Sequence, residues 1–148
     1  MRSRALLALL SVFAAAGCGP EVRTLAYPDG ALYEVAEWRG PVRDGFRRNL
    51  FPDGTVQREA RYERGEPAGT WSYHAEDGAL LVLGGYSAGR REGEWTENHA
   101  NGRPKARGEY RGGVKHGTWR HFDESGTLEY EADWVEGTLL RARRVAPR

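Results

Sequence analysis

The sequence predicts an all-β fold: one elongated antiparallel sheet, a meander of repeated β-hairpins with a 24-residue period. Three observations predict it. Turn glycines recur as Gly30, Gly54, Gly78, Gly102 and Gly126, spaced 24 apart each time. Aromatic residues keep the same interval, as Trp38, Tyr62, Tyr86, Tyr110 and Trp134 and again as Trp71, Trp95 and Trp119; these two series hold all five tryptophans. Between the turns, residues alternate with the period of two that marks a half-buried strand.

The turns are legible because of what precedes each glycine. Asp29, Asp53, Asp77, Asn101 and Ser125 stand there. Asp or Asn caps its own backbone, and Gly takes positive φ at little cost. Two more glycine series run in step, Gly45, Gly69, Gly93, Gly117 and Gly65, Gly89, Gly113, Gly137. Each unit therefore reads as two antiparallel strands with a Gly-rich turn at each end. The first strand alternates cleanly in Leu128-Glu129-Tyr130-Glu131-Ala132-Asp133-Trp134, less so in the segment from Val56 to Tyr62, where Arg58 breaks the apolar face. The second strand reads as shorter, from Thr70 to about Tyr73. Stacked in register, the units place a small column (Ala36, Ala60, Gly84, Gly108, Ala132) beside the large aromatic one, which lets a ring lie over a small neighbour. Nine or so strands at about 4.8 Å spacing give a length of roughly 40 Å.

Composition agrees with a thin, turn-rich structure. The chain has 148 residues with 20 glycines and 5 tryptophans, and little aliphatic residue outside its first segment. That first segment, residues 1–17, reads as an export signal: Arg2 and Arg4, then a mostly apolar run from Ala5 to Ala16, too short to span a bilayer. It ends Ala15-Ala16-Gly17-Cys18, which resembles a bacterial lipobox, although Ala15 stands where Leu is usual. Cys18 is the only cysteine, so no disulfide within the chain is possible. The expectation is lipidation of Cys18 and a permanent membrane anchor, against the alternative of an ordinary cleaved signal with an incidental thiol. Gly19, in place of an Asp retention signal, slightly favours the outer over the inner membrane. Residues 18–26 then form anchor and linker, residues 27–139 the array, and residues 140–148 a basic tail. Without the two leader arginines, 20 basic residues face 21 acidic ones, a charge of −1, so nothing attracts nucleic acid.

The unit Gly108-Glu109-Tyr110-Arg111-Gly112-Gly113-Val114-Lys115-His116-Gly117-Thr118-Trp119 resembles the MORN repeat, in which an aromatic, a Gly-rich turn and a second aromatic follow one another in a hairpin. The longer connection after each hairpin is similar to bacterial MORN-type proteins known as antitoxins. The resemblance covers about residues 27 to 139. In the first unit Arg47 replaces Trp and Pro41 replaces Gly, with Phe46 available in place of the missing ring; the last unit reads as stopping after its first strand. Atypical ends are expected of repeat arrays.

No catalytic group stands out. His74, His99, His116 and His121 share no repeat position and have no metal-site spacing. Gly84-Gly85 opens no helix and makes no phosphate loop. The expectation is a non-enzymatic protein without metal or cofactor. The aromatic columns read either as core or as an open groove, in which Trp71, Trp95 and Trp119, with Tyr62, Tyr86 and Tyr110, would contact cell-wall glycan or a partner protein. The arginines Arg141, Arg143, Arg144 and Arg148 read either as a solvated end or as a contact with anionic headgroups. The expected work is binding or scaffolding at the cell envelope; the alternative, implied by the resemblance, is neutralisation of a partner toxin.

Overall fold

The computed structural model describes residues 9–11, for which only the backbone is considered, and residues 19–145. Among the described residues there is no helix, and twelve strands form one antiparallel sheet in unbroken chain order. β1 (Leu9–Ser11), a three-residue edge, pairs with β2 (Glu21–Ala26). Then follow β3 (Leu32–Arg39), β4 (Val42–Leu50), β5 (Val56–Glu63), β6 (Glu66–His74), β7 (Leu80–Ser87) and β8 (Arg90–Asn98). β9 (Pro104–Arg111), β10 (Val114–Phe122), β11 (Leu128–Val135) and β12 (Thr138–Arg144) complete the sheet.

Two kinds of turn alternate along its sides. On one side Tyr27 N–H donates to Ala31 O (2.8 Å) and Gly30 N–H to Tyr27 O (2.9 Å); the same pair of bonds recurs at Phe51, Ala75, His99 and Asp123. This closes a three-residue loop whose last residue needs positive φ, hence glycine (φ 90° at Gly30). The expected Asp caps are present: Asp29 Oδ1 accepts from Ala31 N–H (3.1 Å), Asp53 from Thr55 and Asp77 from Ala79 (2.9 Å each). Ser125 does not take this role in the last loop; Asp123 does, accepting from Thr127 N–H at 2.8 Å. On the other side Arg64-Gly65, Ala88-Gly89, Gly112-Gly113 and Glu136-Gly137 have positive φ at both positions, the two-residue turn that matches strand twist. The glycine at the second position of each donates its N–H to the preceding unit, to Arg43, Pro67, Arg91 and Lys115 O at 2.8–3.0 Å. These bonds tie consecutive hairpins together.

Three expectations are corrected. The sheet has more than nine strands, because both end units are complete hairpins and the residues before Tyr27 add β2. The second strand of each unit is longer than Thr70–Tyr73: β6 runs Glu66–His74, and Gly69 is a bulge inside it rather than a turn, at φ 61° where the register to β5 shifts. Gly at positive φ lets β6 take up two extra residues, four steps from Ala68 to Ser72 against two from Arg61 to Glu59, without ending the ladder. Finally, Arg141, Arg143 and Arg144 do not begin a tail, because β12 pairs with β11 from Thr138 to Arg144. That strand shows no alternation, since every residue of it is exposed and backbone pairing alone defines it.

Candidate ligand-binding face

Alternation sends residues 32, 34, 36 and 38 of β3, and their equivalents every 24 residues, to one face of the sheet. Trp71, Trp95 and Trp119 lie on the same face, directly opposite Gly84, Gly108 and Ala132 of the following strand. The rings then form a continuous ladder. Trp71 lies 5.3 Å from Tyr62 and 4.7 Å from Tyr86; Trp95 lies 5.4 Å from Tyr86 and 5.6 Å from Tyr110; Trp119 lies 5.1 Å from Tyr110. Each indole N–H donates at 3.1 Å to the carbonyl ten residues earlier, of Arg61, Gly85 and Glu109. Trp95 and Trp119 each cover a glycine of the small column. A Cβ built on Gly84 would lie 2.1 Å from the Trp95 ring, and one on Gly108 2.3 Å from Trp119. The three tryptophans are therefore core: Trp71, Trp95 and Trp119 are 5%, 3% and 1% exposed. Tyr110 is buried with them, whereas Tyr62 and Tyr86 are half-buried. Of the two readings that the sequence leaves open, burial favours packing for the tryptophans and Tyr110 and leaves Tyr62 and Tyr86 as rings a ligand can reach.

Cations close over the ladder. Arg23 and Arg43 each place a guanidinium 4.9 Å from the Trp38 ring. Arg58 stands over Trp71 and Tyr73, Arg91 over Trp95 (4.6 Å) and Tyr110, and Lys115 over Trp119 (4.2 Å) and Trp134. Burial works against the charge of Arg91, but hydrogen bonds with Tyr86 and Tyr110 outweigh it and raise its pKa above the ordinary guanidinium value. These cations had one legible signal that the sequence reading missed: Arg43, Arg91 and Lys115 also keep the 24-residue interval, with Pro67 between them. Under Arg91, the rings of Tyr73, Tyr86 and Trp95 line a recess of about 280 Å³, with Glu97 at its rim.

The first unit replaces the aromatic packing by charge. Arg47, at the tryptophan position, is 14% exposed and donates to Glu34 Oε2 at 2.8 and 2.6 Å. Arg43 (3.3 Å) and Asn49 (3.3 Å) also donate to that carboxylate, and Arg58 donates to Asn49 Oδ1 at 2.7 Å. Burial lowers the pKa of Arg47, yet its bonds to Tyr62 and Glu34 prevail and raise it. Phe46 does not stand in for the missing ring; it is 39% exposed.

The remaining candidates are scattered. His121 stacks on Tyr130 at 4.2 Å, and burial, then Lys115, lowers its pKa. His99 Nε2 bonds the Phe122 carbonyl at 2.9 Å. Arg143 joins Arg120 on Glu131 across the other face of the sheet. Arg141 and Arg144 are exposed on the last strand, and Cys18 and Arg148 lie outside the described residues. Among the described residues no three His, Cys, Asp or Glu side chains are grouped so as to hold a metal.

The family model of the MORN repeat variant matches residues 91–111 and 115–136, each a strand, a three-residue loop and the next strand. No curated protein matches the chain. MORN repeats often serve as protein- or membrane-binding modules, and all-β arrays of them are typically non-catalytic. The two matched units share their turns and bulges with the units before them and their ring ladder with the unit around Trp71, which supports a MORN repeat array along the sheet.

Proposed function

We propose that this protein is a non-enzymatic binding or scaffolding module, exported and held at the cell envelope by a lipidated Cys18. Its partner is a protein or the cell-wall glycan. One observation carries the reading: a single-layer sheet offers a whole face whose buried indoles make it rigid, while half-buried tyrosines and periodic cations remain at its surface. A rigid surface loses little freedom on association, and Tyr and Arg are the residues that contribute most at interfaces. The lipobox-like end of the leader supports the anchor. A toxin-neutralising role is less well supported, since an exported protein meets only a toxin that is itself at the envelope.

Two experiments test this. Metabolic labelling with a palmitate analogue should label the wild-type chain and leave Cys18→Ser unlabelled; label on the variant refutes the anchor. An affinity pull-down from envelope extract and sedimentation with purified cell-wall sacculi should retain a partner. Retention of neither refutes the binding role.

A further inference from the structure

The ring-bearing face is unevenly charged. Over β2–β11 it carries six cations against three carboxylates. Arg23 pairs with Glu21, and Arg43 and Arg47 share Glu34. Arg58, Arg91 and Lys115 meet no carboxylate within ion-pair distance among the described residues. They rest instead on neutral groups: Asn49 Oδ1, the Tyr110 hydroxyl, and the ring faces of Trp119 and Trp134. Glu97, the third carboxylate, lines the recess below Arg91. The face thus has an excess of positive charge above an aromatic floor, with Arg91 and Lys115 at equivalent positions of neighbouring units.

The spacing selects the partner. Equivalent residues of neighbouring units are two strands apart, about 9.6 Å at 4.8 Å per strand. A polyproline II chain has three residues per turn and rises about 3.1 Å per residue, so every third side chain points the same way about 9.3 Å further on. Such chains dock on aromatic-lined grooves because their conformation is already ordered. We propose that this face binds an extended acidic peptide segment in polyproline II conformation. Its carboxylates, three residues apart, pair with Arg91 and Lys115, and its backbone lies over Tyr73 and Tyr86. Arg58 supplies the positive charge in the unit where Pro67 interrupts the row. The inference rests on the binding-module reading and names the partner's chemistry.

The test is fluorescence anisotropy with the purified full chain in mild detergent at low salt. The probe is a labelled peptide of Glu-Pro-Pro repeats. The control has the same composition with its glutamates contiguous, so charge is equal and spacing differs. The repeat peptide should bind saturably and more tightly than the control, and added salt should weaken it. Arg91→Gln with Lys115→Gln should weaken binding about 5–10-fold, as expected for two exposed ion pairs, with the near-ultraviolet circular dichroism of the ring ladder unchanged. Equal binding of the two peptides, no binding, or an unaffected double variant overturns the proposal. So does preference for an anionic oligosaccharide or for anionic vesicles over the repeat peptide. If the peptide fails while sacculi or an envelope protein are still retained, the inference falls and the binding-module reading stands.

Discussion

The small column makes a quantitative prediction. Replacing Gly108 by Ala puts a methyl group 2.3 Å from the Trp119 ring, where atoms cannot sit. Gly108 has no positive φ, so the backbone itself accepts alanine. The indole must therefore move, and the array already shows how. Trp71 hydrogen-bonds Arg61 O in the unit where Ala60 stands at the position of Gly84 and Gly108, and its ring tilts 56° and 47° against Tyr62 and Tyr86. Over Gly84 and Gly108 the ring contacts are edge-on, at 77°, 73° and 82°. Overpacking costs about 1–3 kcal/mol. Reduced freedom of the unfolded chain returns about 0.4–1 kcal/mol. Gly108→Ala should therefore lose about 1–2 kcal/mol, lowering Tm by roughly 4–8 °C. Thermal and urea unfolding followed by tryptophan fluorescence would measure it, and near-ultraviolet circular dichroism would report the tilt of Trp119. A variant as stable as wild type, with an unchanged ring spectrum, would show that the glycine is not there to seat the indole.

Three further predictions concern the ends and the core. Arg47→Ala leaves Glu34 buried with only Arg43 and Asn49 as donors, and should cost about 2–3 kcal/mol in chemical denaturation; Glu34→Val with Arg47→Trp, which restores ring packing, should be at least as stable as wild type. Trp119→Phe removes the hydrogen bond to the Glu109 carbonyl and leaves a void, a loss of about 2–3 kcal/mol by the same measurement. The docking of β12 should depend on acid. Glu131 has its pKa lowered, first by Arg143 and then by Arg120, so its contribution is complete above the unfolded carboxylate value of about 4.3 and is lost as pH falls through the lower folded value. Amide exchange in β12 should speed up through that acid window in wild type and show no such step in Glu131→Gln.

The repeat was legible because its unit is short and each feature has a local cause. Asp-Gly and Asn-Gly pairs name the three-residue loops, and alternation names the first strand of each unit. The bulges were misread as turns, since Gly69 and its equivalents carry the same signal as a loop glycine; only pairing to the flanking strands shows that the ladder continues past them. β12 was missed because Leu139-Leu140-Arg141 has no period of two, and an edge strand buries nothing that would require one.

Local chemistry by itself determined the fold class, the interval of 24 residues and the face on which the rings gather, because a turn or an alternating strand depends on residues a few positions apart. Tertiary structure decided what that face is. Trp71, Trp95 and Trp119 become core only when each indole crosses to the neighbouring strand and hydrogen-bonds its backbone. Arg47 becomes tolerable inside only because Glu34, thirteen residues away, is brought within 2.6 Å of it. Burial and charge pairing are properties of strands side by side, and no single strand carries them.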